Sequence, residues 1–310
     1  MRTVFFLCFF FTSLFAAAQQ SYDSVATSAA IHNGRKWFAG GASVALYGGS
    51  FYYLNEAWYK KYPRSSFHIY NDSGEWMQMD KLGHAWTAYN TSRATTALWK
   101  WAGLPDKKAV VLGSLSGFAY LTVIEFLDGH STEWGWSWSD ITANTTGSGL
   151  FALQQLAWGE QRIQYKFSSH KINYEPGLKA RADDLFGSSL PERLLKDYNA
   201  QTYWFSFNLH SFLPESRLPR WLNVSVGMGA QNMLGGYENV AFDENGNKIF
   251  DRSDLRRYRQ WYIAPDVDFT KIHTNSRFLR TTFELLNVLK FPAPALEFSN
   301  GRFRFHALTF

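Results

Sequence analysis

The chain has 310 residues, 46% apolar and 18% aromatic, and carries 31 Lys and Arg against 26 Asp and Glu for a formal charge of +5. That small, dispersed excess excludes a nucleic-acid role, which asks for a concentrated basic face. The load of 13 Trp, 16 Tyr and 27 Phe exceeds what one water-surrounded core needs, and it suits a boundary where apolar bodies meet polar edges, such as a membrane surface.

Residues 1–18 open with Arg2, continue through an apolar run from Val4 to Phe15 and end in Ala16-Ala17-Ala18 before Gln19. This pattern predicts a secretory signal peptide cleaved after a small-residue site, because an uncleaved anchor needs a longer apolar stretch. Cys8, the sole cysteine, lies within that run and has no Leu-x-x-Cys context, so the mature chain is expected to carry no thiol, disulfide or lipid anchor.

Four segments lack Asp, Glu and Lys: Trp37 to Leu54, Leu82 to Trp99, Ala109 to Ile124 and Ile141 to Trp158. Their spacing predicts four helices, a helical domain over residues 19–166. At 16 to 18 residues each, the segments fall at or below the ~20 wanted for a membrane span. Gly40-Gly41, Gly48-Gly49, Gly113-x-x-x-Gly117 and Gly147-x-Gly149 predict close helix approach. Asp80 and Ser139 read as N-caps, Pro105-Asp106 as a helix start, and Gly103 and Gly129 as helix ends. Trp134, Trp136 and Trp138 alternate in the loop before the fourth helix, where they either close the bundle or sit at lipid headgroups.

Residues 167–200 turn polar, with Pro176, Gly177, Gly187 and Pro191, and read as a linker. The period then changes to two over 201–310. Tyr203, Phe205 and Phe207 alternate with Trp204, Ser206 and Asn208, and Leu222, Val224 and Val226 alternate with Asn223, Ser225 and Gly227. Further strands are expected at Tyr258 to Phe269, Ala295 to Ser299 and Arg302 to Leu308, the last two joined at Asn300-Gly301, and a helix at Phe278 to Leu289. The predicted class is α+β, a four-helix bundle followed by an antiparallel region of about five strands. The terminal Phe310 suits an outer-membrane barrel, but Arg302, Arg304 and His306 alternate in phase with Leu308, and five strands cannot close a membrane barrel. Asp243 to Asn247 reads as a tight polar hairpin rather than a calcium loop, and Asn144-Thr145-Thr146 as a chance sequon inside a helix.

Three polar clusters edge the apolar segments: Asp80-Lys81-x-x-His84, Glu125-x-x-Asp128 and Ser139-Asp140-x-x-Ala143-Asn144-x-x-Gly147. Residues three, four and seven apart share a helix face, so the carboxylates and the histidine are expected to meet. In these motifs, roughly from Trp37 to Trp158, the chain resembles the YfiM-like family of unknown function, described as predicted periplasmic lipoproteins. More loosely it is similar to VanZ-like helical membrane proteins. The resemblance implies an envelope location and no established activity.

Three readings of the cluster stand open. Charge-assisted hydrogen bonds from His84 and Lys81 to Glu125, Asp128 and Asp140 would staple helix ends. His84, Glu125 and Asp128 would hold a divalent metal, zinc or manganese, although the sequence requires no cofactor. Alternatively, a buried carboxylate with His84 as acid would make an envelope lipid or glycan hydrolase or transferase. The expectation is a non-enzymatic, exported envelope protein, structural or accessory in a complex, at the outer membrane or its periplasmic face, with the membrane or an outer-membrane protein as partner. The inner membrane and the soluble periplasm are the alternatives.

Overall fold

The computed structural model describes residues 33–57 and 59–309. The predicted signal peptide, Cys8 and Phe310 lie outside the described residues. The chain is α+β and divides into two compact units. Of the described residues, one unit comprises those up to Ser73, His84–Gln161 and Thr274–Leu285; the other comprises Gly74–Gly83, Arg162–His273 and 286–309.

The first unit is helical. Its elements are α1 (Asn33–Ala57), most of α2 (Met79–Trp101), α3 (Asp106–Asp128) and α4 (Trp138–Trp158). At 21 to 25 residues these helices outrun the segments free of Asp, Glu and Lys that announce them: charged residues in both end turns extend α1, α2 and α3, and α4 is extended at its start only, through Asp140. Among the described residues, α3 alone is long and apolar enough to cross a membrane by length and composition.

Small residues fix the packing of this unit. Ala85, Ala88, Ser92 and Thr96 recur on one buried face of α2. A Cβ on Gly113 would run into Thr96, one on Gly117 into Ser92, and one on Gly147 into the Ala85 carbonyl. Backbones this close tolerate hydrogen only, as the glycine pattern predicts for these three. The other glycines of the pattern behave differently: Gly41, Gly48, Gly49 and Gly149 have open space around them, and Gly40 meets only the Trp99 ring.

The segment after α1 pairs with the loop between α3 and α4. His68 N–H donates to the Gly129 carbonyl at 2.9 Å, Trp136 N–H to His68 at 2.9 Å, and Tyr70 N–H to Trp136 at 3.0 Å. The tryptophans close this loop: Trp134 packs edge-on against Tyr59 and Tyr62, and Trp136 lies between Phe67 and Trp138.

The second unit holds six antiparallel strands: β1 (Ile163–Ser169), β2 (Gln201–Asn208), β3 (Leu222–Gln231), β6 (Tyr258–Val267), β7 (Ala293–Ser299) and β8 (Arg302–Thr309), adjacent in that order. A separate hairpin, β4 (Val240–Phe242) and β5 (Lys248–Asp251), turns at Asp243–Asn247, where Asp243 accepts the Asn245 and Asn247 N–H groups. Residues 167–200 complete β1 and form two helices, α5 (Pro176–Phe186) and α6 (Leu190–Lys196). The last helix among the described residues, α7 (Arg277–Leu286), precedes β7 in the chain and belongs, but for Leu286, to the first unit.

The sheet is inverted in polarity. One face carries the buried Gln164, Lys166, Ser206, Asn223, Asp266 and Glu297, while on the other Phe205, Val226, Ile263, Leu296, Phe303 and Phe305 stand exposed and Tyr165 and Tyr203, at the β1–β2 end, are buried. Trp204 also lies on the buried side, over Gly227, where a Cβ would strike the indole. The sheet curls enough for Lys166 on β1 to meet Asp266 on β6 at 3.0 Å. Hydrogen bonds from Phe167 N–H to the Val288 carbonyl (3.1 Å) and from Lys290 N–H to the Phe167 carbonyl (2.9 Å) cover the outer edge of β1.

The phase objection raised by Arg302, Arg304 and His306 is removed by a bulge. Ala293 pairs with Thr309 but Ala295 with His306, so β8 holds one residue more than β7 between these pairs. The extra residue resets the alternation, and Leu308 emerges 56% exposed on the side of Phe303 and Phe305.

Candidate polar site in the helical unit

The site forms where α2, α3 and the start of α4 converge. Ser137, rather than Ser139, caps α4: its side chain accepts the Asp140 N–H at 3.0 Å. Asp140 therefore sits in the first turn, where the positive helix end favours a carboxylate. Glu125, one turn before the end of α3, is 1% exposed, and its Oε2 accepts the Ser137 N–H at 3.4 Å.

His84 faces both carboxylates. Its Nδ1 lies 3.5 Å from Glu125 Oε1 and 3.2 Å from Asn144 Oδ1, and its Nε2 lies 3.8 Å from Asp140 Oδ1. Ligand atoms of His84, Glu125 and Asp140 fall within 4.8 Å of one another. Asn144 is fully buried one turn beyond Asp140, as the i, i+4 spacing predicts. Gly147, a further turn along, admits the backbone of α2 at Ala85 and so sets the approach of α4 to His84.

Asp128 points elsewhere. Its Oδ1 accepts the Tyr59 hydroxyl proton at 2.6 Å. Burial, helped by the charges of Asp140 and Asp72, pushes the Asp128 carboxyl up to about 6, although the Tyr59 hydrogen bond and His84 pull it down. Burial and the adjacent Asp128 raise the Tyr59 phenol far above its usual range. Asp80 and Lys81 belong to the other unit and pair with each other at 2.8 Å. Asp80 is not an N-cap, since α2 begins at Met79 after Trp76, Met77 and Gln78 at φ of 48°, 51° and 64°.

Residues 69–156 match a family model described as predicted periplasmic lipoprotein (DUF2279). The match contains His84, Glu125, Asp128, Asp140 and Asn144 and ends before β1, so the sheet stands outside it. The description of DUF2279 supports an exported envelope location and leaves the role of the family unknown. No curated protein and no solved structure matches the chain.

Two contributors escaped the sequence reading. Asp72 accepts hydroxyl hydrogen bonds from Ser137 at 2.5 Å and Ser139 at 2.7 Å, and Tyr59 donates to Asp128. Both lie in the irregular stretch between α1 and α2, where no period marks them.

Proposed function

We propose that this protein is a non-enzymatic component of the cell envelope, associated with the outer membrane through its sheet and structural or accessory in an envelope complex. The observation that carries the reading is the inverted polarity of β1–β3 and β6–β8. A sheet in water buries its apolar face, whereas a membrane sheet turns that face to lipid and keeps polar residues inside. Here the inner polar groups pair with one another: Ser206 and Ser225 donate to Asp266, Gln164 donates to Asp268, and Ser299 donates to Glu297. Such pairing makes a polar core tolerable in a low-dielectric setting.

Six strands are fewer than a closed membrane barrel has, so the sheet is read as seated against acyl chains or an outer-membrane protein partner rather than as a pore. The test is fractionation of native membranes. After an alkaline carbonate wash, recovery in the dense outer-membrane fraction is expected, and release into the wash would overturn the reading.

A further inference from the structure

We propose that His84, Glu125 and Asp140 form a binding site for one divalent first-row cation, zinc or manganese, with Asn144 beside it. The argument begins with distances. Bonded ion pairs between nitrogen and carboxylate close to ~2.7–2.9 Å. This chain makes such a pair elsewhere: His306 Nε2 lies 2.7 Å from Glu297 Oε2. His84 stands at 3.5 Å and 3.8 Å from its two carboxylates, too far for a hydrogen bond to either.

The 3.5 Å on the Nδ1 side suits two ligands of one ion; an imidazole lends a single nitrogen to an ion, so the 3.8 Å at Nε2 is not a second edge of the same shell. With nitrogen and oxygen donors ~2.0–2.2 Å from a tetrahedral centre, neighbouring donors stand roughly 3.3–3.6 Å apart. The 3.5 Å from His84 Nδ1 to Glu125 Oε1 lies at this edge length, and one donor atom each from His84, Glu125 and Asp140 falls within 4.8 Å of the others. One imidazole with two carboxylates is a borderline donor set, which favours zinc or manganese over the all-oxygen shell of calcium.

Asn144 supplies an independent observation. It is fully buried, and its Nδ2 has no hydrogen-bond partner among the described residues. Buried amides ordinarily use both ends. A hydrated cation between the carboxylates brings a water oxygen for that N–H to reach, while Oδ1 stays near the imidazole. The donors arrive from three helices, so the ion would join α2, α3 and α4 at one point. This inference is independent of where the sheet is seated.

The test uses the mature full chain without a histidine tag, stripped with EDTA and titrated calorimetrically with ZnCl2 and with MnCl2. One equivalent of at least one metal is expected to bind, weakened at least tenfold in His84→Gln and in Asp140→Asn. No stoichiometric binding of either metal, or equal binding by folded variants, overturns the proposal. Should a variant fail to fold, X-ray absorption of the zinc-loaded wild type decides instead. One imidazole among oxygen scatterers is expected, and a shell with no imidazole, or with several, overturns it.

Discussion

Lys166 and Asp266 meet at 3.0 Å with both side chains wholly buried, although their strands are first and fourth in the sheet. The contact exists because the sheet curls, and it gathers neighbours: Lys290 lies 3.6 Å from the same carboxylate, and Ser206 donates to it at 2.6 Å. Asp266→Ala would leave two buried ammonium groups uncompensated. The expected loss is about 3–5 kcal/mol, with a clearly smaller loss in the double variant Lys166→Met/Asp266→Leu. Chemical denaturation of the three proteins in one detergent checks this. Equal stability of the single variant and wild type would show that the pair does not hold the curl.

Gly147 and Gly149 are two residues apart on α4 and should respond oppositely to alanine. A methyl group at 147 meets the Ala85 carbonyl, and overpacking of this kind costs about 1–3 kcal/mol. At 149 the space is open, so the better helix propensity of alanine is expected to stabilise by up to ~1 kcal/mol. Melting temperatures that move in the same direction would contradict the close approach of α2 and α4.

Asp128 makes a prediction in pH. Its folded value of about 6 stands above its unfolded 3.8, so the folded state binds the proton more tightly. Its contribution to stability is full below pH 3.8 and is lost as pH rises through 6. Between those limits the stability of wild type is expected to fall with pH more steeply than that of Asp128→Asn. Denaturation midpoints across the window provide the check, and parallel slopes would refute it.

Ile263 stands 50% exposed at the middle of β6. An arginine there costs about 2–4 kcal/mol if the residue faces the middle of a bilayer and little if it faces water. Ile263→Arg is expected to pass from the carbonate-resistant fraction into the wash while keeping its circular dichroism. Unchanged membrane retention would remove lipid from that face.

The strands were legible because alternation of period two survives inversion. Tyr203-Trp204-Phe205-Ser206 reads as a strand whichever side is buried, but the pattern cannot say which side that is. Supposing the apolar side to be inside is the habit of soluble proteins, and the buried polar residues, Asp266 and Glu297 among them, reveal the reverse. β1 carries the same alternation, Ile163, Tyr165 and Phe167 against Gln164, Lys166 and Ser168, and was missed because it begins close to the end of α4 and runs into the polar stretch. The bulge at the end of β8 was unreadable for another reason, since it appears only in the pairing of two strands.

In the polar site, helix spacing brought Asp140, Asn144 and Gly147 onto one face as expected. The spacing could not rank Glu125 against Asp128, because residues three apart diverge by a fraction of a turn. That fraction sends Glu125 toward His84 and Asp128 toward Tyr59.

A sheet whose interior is polar has little to gain from water as a driving medium. Its unfolding in buffer would expose polar surface to a larger extent than a soluble sheet does, and polar exposure lowers the heat capacity that apolar exposure raises. Free of lipid, this unit should therefore melt with a small heat-capacity increment and a shallow dependence on temperature. Seated as proposed, it would acquire its shape and its place in the bilayer in a single cooperative event, so that extraction and unfolding become the same equilibrium.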